Sequence, residues 1–257
     1  MGQLVSSLYT PLVQEARLRF ESGIAATLSD PSMDPTRFEL FLIQYCSRGV
    51  RMTEPVESWI FRAGQRCEAI GLTALGRTLQ QHARHEAGHH LMFIEDTRTL
   101  VKRWNERRTP ALDADALLAV APSRGTEAYV ELHERVIAGP TPYAQLGIEY
   151  EIEGLSVSWA PGLLQQAKRV LGDEIMAAMS FLAEHAEVDI GHTKLNESQL
   201  EKLLEKHPEF AVAVAKAGSE ALDAYGAYLA DCLAAAGELA RPSARRADAA
   251  TGASAHS

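Results

Sequence analysis

The sequence predicts an all-α protein that folds as a single helical domain. Apolar residues recur at spacings of three and four along most of the chain, as they do on one face of a helix. Strand-like alternation is almost absent, and no internal repeat is visible that would indicate a solenoid. With 257 residues, 46% of them hydrophobic, the chain can bury a core without disulfides or metal staples.

The helices are predicted to follow one another through short connections, as a bundle of seven to eight. Asp34 and Pro35 indicate a helix start, because aspartate caps a helix and proline suits its first position. The sequence at 160–162, Ala-Pro-Gly, predicts a bend inside a long helix. The periodicity predicts helices over 5–28, from 34 onward, and over 54–71, 73–108, 126–137, 141–172, 173–195 and 208–239.

The domain is expected to span residues 1–240. Residues 241–257 are small, polar or basic, so ordering them would bury no apolar surface. We therefore predict a disordered tail over 241–257.

Composition excludes several classes of protein. The net charge of −9 argues against a nucleic-acid partner, which would need a basic surface. The three cysteines are far apart in sequence and form no Cys-x-x-Cys pair, which argues against a disulfide framework or a zinc ribbon. No apolar run is long enough to span a membrane, and the N-terminus lacks the basic start of a secretory signal. These observations predict a cytoplasmic protein with neither nucleic acid nor membrane as a partner.

Histidines and carboxylates are concentrated at two places in the chain. Glu86 and His89 are three residues apart on one predicted helix, and Asp189 and His192 repeat that spacing on another. Residues three apart share a helix face, and His185 falls on the same face as Asp189 and His192. Imidazole and carboxylate are ligands for iron, manganese or zinc, and paired motifs of this kind build two-metal sites inside helical bundles.

A further carboxylate is expected from the helix that lies between the two motifs. Glu149 and Glu153 share a face of that helix, whereas Glu151 points away from both. The shared face is otherwise apolar, which predicts a buried carboxylate, and burial of an unpaired carboxylate is costly. A cation beside this face is the natural explanation.

The roles of four other residues stay open at this point. Asp96 either supports a ligand imidazole or carries a solvated surface charge, and we prefer the second interpretation. Histidines near Glu86 are spread around their helix, so at least one is expected to face water: His82, His85 and His90.

Three stretches of the sequence resemble the haem-oxygenase-like di-iron oxidases and oxygenases, relatives in fold of thiaminase and pyrroloquinoline-quinone synthase. They are His85-Glu86-Ala-Gly-His89, Ile152-Glu153-Gly154 and His185-x-x-x-Asp189-x-x-His192. The resemblance implies a haem-oxygenase-like bundle that activates O2 without haem. It also implies six metal ligands: Glu86, His89, Glu153, His185, Asp189 and His192.

The resemblance implies an O2-dependent oxidoreductase with two Fe(II) ions, for which manganese or zinc could substitute. The expected substrate is a small metabolite. By analogy we prefer an amine or an amino-acid-derived compound that undergoes N-oxygenation, desaturation or oxidative C–C cleavage. A homodimer is one option for the assembly.

Three alternatives remain open at the level of the sequence. A ferritin-like two-metal bundle would take a carboxylate from Glu54 or Glu57, but it would leave His185 without a role. A metal-free, thiaminase-like enzyme would need a nucleophilic cysteine, and neither Cys46 nor Cys67 has a neighbouring histidine or lysine in sequence to lower its pKa. A helical binding protein would leave the placement of the histidines unexplained.

Overall fold

The computed structural model describes residues 2–241 and confirms the all-α prediction, because these residues contain helices, turns and bends but no strand. The predicted tail lies outside the described residues from 242 onward, so the domain boundary stays a prediction. Eleven α-helices of at least five residues occur in the described part, more than the seven or eight predicted. They are α1 (Thr10–Phe20), α2 (Pro35–Thr53), α3 (Val56–Ala69), α4 (Thr73–Ala83), α5 (His90–Arg107), α6 (Ala114–Leu118), α7 (Arg124–Ala138), α8 (Gln145–Ser158), α9 (Ala160–Leu171), α10 (Ser180–Lys206) and α11 (Ala211–Ala240).

Local sequence signals explain where several of these helices begin and end. The carboxylate of Asp34 accepts a hydrogen bond from the backbone N–H of Arg37, so the predicted cap at the start of α2 is present. The helix predicted over 141–172 is interrupted next to the Ala-Pro-Gly sequence, since α8 ends at Ser158 and α9 begins at Ala160, with Trp159 between them.

The prediction of one continuous helix over 73–108 is wrong in the middle of that range. Helix α4 ends at Ala83, α5 begins at His90, and the residues between them form turns. Gly88 adopts a φ of +83°, in the left-handed region that ends a helix and that glycine enters without steric penalty. Glu86 and His89 therefore lie in a turn and not on a helix face, although they still point to a common centre.

A second correction concerns the segment predicted as a helix over 173–195. A 3₁₀ helix occupies Asp173–Ala178, and α10 then runs well past the predicted end, to Lys206. The long uninterrupted α10 carries His185, Asp189 and His192, and all three are buried.

The core forms around α11, which packs against α2, α7 and α8, while α10 packs against α8, α5 and α9. Helices α8 and α11 approach closely at Gly147, where a Cβ would collide with the carbonyl oxygen of Val214. This close approach holds α8 in the centre of the molecule, so that its polar residues Glu149 and Glu153 are buried.

None of the helices in residues 2–241 combines the length and the apolar character that crossing a membrane requires.

Candidate metal centre

The carboxylate of Glu86 lies between two sets of histidines. Its Oε1 is 3.6 Å from Nε2 of His82 and 3.6 Å from Nδ1 of His192. Its Oε2 is 3.1 Å from Nδ1 of His89 and 4.0 Å from Nε2 of His185. Each oxygen of one buried carboxylate thus faces a different pair of imidazoles.

One set of possible metal donors consists of Glu86, His89 and His185, whose ligand atoms lie within 4.8 Å of one another. Nδ1 of His89 is 3.1 Å from Nε2 of His185. The Nδ1–H of His185 can donate to the backbone carbonyl of Phe181, at 2.8 Å, which would leave its Nε2 free to act as a ligand. The structure thus brings together the first predicted motif and the first histidine of α10. We call this set the first donor group.

The second donor group consists of His82, Glu86, Glu153 and His192, with ligand atoms again within 4.8 Å of one another. Oε1 of Glu153 lies 2.8 Å from Nε2 of His82 and 4.0 Å from Nδ1 of His192. All four residues are buried. Helices α4, α8 and α10 and the turn after α4 therefore each contribute one side chain to this group.

His82 is a functional candidate that the sequence reasoning did not assign. It is 2% exposed, neither ring nitrogen makes an aligned hydrogen bond, and its Nε2 only contacts the carboxylates of Glu86 and Glu153. A buried imidazole without hydrogen-bond partners calls for an explanation, and a metal ion would supply one. The spacing of four residues from Glu86 was the available signal, because it places the two side chains on neighbouring turns.

Asp189 lies beside the two donor groups without belonging to either one. Its Oδ1 is 3.2 Å from Nδ1 of His192, whereas its Oδ2 is buried and has no hydrogen-bond partner. The free Oδ2 leaves Asp189 able to act as a ligand or to orient His192.

Neighbouring side chains fix the donors in place. Asn196 donates from Nδ2 to Oε2 of Glu153 at 2.6 Å.

Asp96 is buried, contrary to the expectation of a surface charge. Its carboxylate accepts from the backbone N–H groups of Ser180 and Phe181, at 3.0 Å each, and so caps the start of α10. Asp96 therefore helps to position α10. It lies on α5, the helix that directly follows the turn carrying Glu86.

The ionisable side chains of the centre shift one another's pKa values. Burial alone would lower the pKa of His82, but contact with the carboxylates of Glu153 and Glu86 raises the pKa to about 11. Burial would raise the pKa of Glu86, yet the surrounding His185, His82 and His89 hold this pKa well below its usual range. Burial raises the pKa of Glu153. The buried carboxylates of the centre thus lie against imidazoles, in the positions where metal ions would neutralise them.

Glu149 lies one turn before Glu153 on α8, outside both donor groups. Its Oε1 accepts a hydrogen bond from Nε2 of Gln145 at 2.5 Å, and the same Nε2 lies 2.8 Å from Nδ1 of His133. Burial and the nearby carboxylate of Glu153 raise the pKa of Glu149 to about 8. Sequence reasoning correctly placed Glu149 and Glu153 on one buried face.

A cavity of about 90 Å³ adjoins the centre. Glu86, Glu153, His185 and Asp189 form one side of it, and aromatic side chains form much of the remaining wall. A small molecule in this cavity would lie against the donor groups.

The other candidate residues belong to neither donor group. His85 is exposed and stacks on His192 with ring centroids 5.7 Å apart. Glu54 and Glu57 are exposed and belong to neither donor group. Glu151 is buried but pairs with Arg17 and Tyr9, so it has a structural role away from the centre.

The residues present fit metal ions well. Imidazole nitrogens and carboxylate oxygens converge from separate elements, no thiolate is among them, and Nδ1 of His82 and Oδ2 of Asp189 have no hydrogen-bond partner. Such a nitrogen and oxygen donor set suits iron, manganese or zinc. The buried histidine and glutamate groups can therefore hold a metal ion, and Glu86 can be shared between two.

Two solved structures are similar to this chain over most of its length. One is a domain of unknown function with a haem-oxygenase-like fold from Shewanella denitrificans OS217, with a TM-score of 0.68 and 20% identity, covering 87% of this chain and 90% of that one. The other is a TenA homolog from Pseudomonas syringae pv. tomato str. DC3000, with a TM-score of 0.67 and 14% identity, covering 91% and 93%. The sequence matches no protein-family model and no curated protein. The chain has a haem-oxygenase-like fold, as its sequence motifs predicted.

Proposed function

We propose that the protein is a non-haem di-iron oxidoreductase that uses O2 to oxidise a small molecule. The observation that supports this function best is the position of Glu86. Its two carboxylate oxygens face separate donor groups, as expected of a carboxylate shared by two ions. When bound, a pair of Fe(II) ions would supply two electrons for the reduction of O2.

The proposed ligands are the predicted six, joined by His82. His89 and His185 would hold one ion with Oε2 of Glu86. The other donors would hold the second ion with Oε1 of Glu86: His82, Glu153 and His192, with Asp189 beside them. Four imidazoles and no thiolate favour iron over ions that prefer sulfur ligands, while manganese and zinc remain possible substitutes.

The chain itself would bind and position the substrate. A small molecule in the cavity would lie directly against Glu86, Glu153 and His185, with aromatic side chains around it. The hydrogen bonds from Asn196 to Glu153 and from His185 to the Phe181 carbonyl would hold two ligands in a fixed orientation during turnover.

A metal-free reaction that uses a cysteine nucleophile, as a thiaminase-like enzyme would require, finds little support in the structure. Burial raises the pKa of Cys46, of Cys67 to about 12, and of Cys232. None of these three thiols lines the cavity. A ferritin-like arrangement is disfavoured because Glu54 and Glu57 are exposed, whereas His185 belongs to the first donor group.

The test is to load the protein with Fe(II) without oxygen and then to measure O2 consumption as candidate substrates are added. Consumption should require iron, should accelerate with a true substrate, and should be absent from zinc-loaded protein. Small amines and amino acids form the first panel. Two bound irons with no substrate-dependent O2 consumption across amines, amino acids and fatty acids would contradict the proposed function.

A further inference from the structure

The cavity beside the donor groups contains a buried carboxylate that the proposed metal centre does not use. Glu149 is 6% exposed and lines the cavity together with Glu153. Its Oε1 is bound by Gln145, which is itself fully buried and contacts His133. The Gln145 amide therefore holds Glu149 in one position, and no arginine or lysine is among the described residues that line the cavity.

Aromatic side chains surround the space that Glu149 faces. They include Tyr45, Phe93, Tyr129, Trp159, Phe181 and Tyr225. Phe93 stacks on Phe181 with ring centroids 3.7 Å apart, and Tyr45 meets Phe93 edge-on at 5.4 Å, so the wall is a packed aromatic surface. Aromatic faces attract organic cations and also accommodate an apolar body.

These features together define the chemistry of the ligand. No arginine or lysine on the wall would pair with a carboxylate ligand, and a purely apolar ligand would leave Glu149 buried without a cation. An ammonium group would satisfy Glu149 by a charge-assisted hydrogen bond, and aromatic faces would enclose it.

We propose that Glu149 binds the amino group of the substrate, and that the substrate is an amine with an apolar or aromatic body. The oxidation of this amine rests on the proposed function, whereas the binding of the amine by Glu149 does not depend on it. Glu149 and Glu153 are one helical turn apart, roughly 6 Å along α8. An amine nitrogen held by Glu149 would thus place the adjacent carbon next to the metal centre.

The test compares matched probes on the full chain loaded with zinc, so that neither iron nor O2 chemistry takes part. The probes are 2-phenylethylamine and 2-phenylethanol, with hexylamine and hexanol as an aliphatic pair. Calorimetry should show each amine binding at least about tenfold more tightly than its alcohol, the gain expected of one charged hydrogen bond.

Variants show whether Glu149 is the responsible group. Glu149→Gln should reduce amine affinity to that of the alcohol while leaving alcohol affinity and zinc content unchanged. Glu149→Asp, which keeps the charge, should retain part of the amine preference and covers the case in which Glu149→Gln does not fold. Glu187→Gln, an exposed position on α10, is the matched control and should bind like the unaltered protein.

Three results would overturn the inference: alcohols that bind as tightly as amines, no binding by either pair, or loss of zinc from Glu149→Gln. The last result would make Glu149 a metal ligand. If amine binding holds but iron-loaded protein consumes no O2, only the proposed oxidase function fails. If O2 is consumed but amines are not preferred, only the assignment of the substrate fails.

Discussion

Nδ1 of His89 lies 3.1 Å from Nε2 of His185, although the two residues come from a turn after α4 and from the second turn of α10. The other ring nitrogen of His185 contacts the Phe181 carbonyl at 2.8 Å. Two imidazole nitrogens and Oε2 of Glu86 thus converge on one point from two distant parts of the chain. An ion at this point would be held by both nitrogens and by the carboxylate oxygen together.

Removing His185 should cost the protein one metal ion. His185→Ala leaves His89 and Glu86 as the only members of the first donor group, whereas the second group stays complete. We expect the iron content after desalting to fall from two ions per chain to about one, with loss of O2 consumption. His90→Ala, outside both groups, is the control and should keep both ions. Retention of two ions and normal O2 consumption by His185→Ala would argue against this ligand set.

His82 should prove to be a ligand, although the family resemblance does not include it. His82→Ala removes one of four members of the second donor group and should weaken the binding of one ion by roughly 10-fold to 100-fold. Gln81→Ala, an exposed position next to His82 on α4, is the matched control. The measurement is metal affinity, by competition with a chelator. Equal affinities for the two variants would exclude His82 from the centre.

Much of the helical scaffold was predictable because its signals are local. The cap at Asp34 and the helix interruption before Pro161 depend on a few adjacent residues, and both are present. The break at Gly88 was not predictable, since a single glycine within a helical pattern is usually tolerated and only tertiary packing selects its left-handed conformation.

The candidate site was predictable to a similar degree. Spacing along α10 correctly brought His185, Asp189 and His192 to one buried face. It could not show that Glu86 would divide its two oxygens between donor groups, because that arrangement depends on how four separate elements pack. His82 was missed because several histidines near Glu86 were expected to face water, and only burial distinguishes them.

Glu153 and Glu149 should differ in their effects on the metal. Glu153 belongs to the second donor group and Glu149 does not, although both are buried on one face of α8. Glu153→Ala should therefore abolish iron-dependent O2 consumption and lower the metal content. Glu149→Ala should keep its metal and at least part of the O2 consumption. Metal analysis and an oxygen electrode measure both effects, and the opposite pattern would show that these assignments on α8 are reversed.

The stability of the fold should decrease on acidification through His133. Burial lowers the pKa of this histidine from 6.5 to about 3, and it stacks on Trp59 with ring centroids 4.1 Å apart. The unfolded chain therefore binds a proton at a higher pH than the folded chain does. The free energy of unfolding should fall as the pH drops below 6.5 and continue to fall until about pH 3, with a loss of about 2 kcal/mol by pH 5.

The check is urea unfolding of metal-free protein at pH 7.5 and pH 5, compared with His133→Phe, which can keep the stack on Trp59. Other titrating groups contribute equally to both proteins, so the difference in their pH dependence reports on His133. The variant should lose less stability between the two pH values than the unaltered protein does. Identical losses would show that His133 is protonated in the folded state.

Under the proposed function, Glu86 would be a ligand of two metal ions, because it belongs to both donor groups. This assignment is tested most directly by the metal content of iron-saturated protein after desalting, in the unaltered chain and in Glu86→Ala. We expect two irons per chain in the unaltered protein and fewer than one in Glu86→Ala, because both ions lose a shared ligand in the variant. One iron per chain in the unaltered protein, or two in Glu86→Ala, would contradict this assignment.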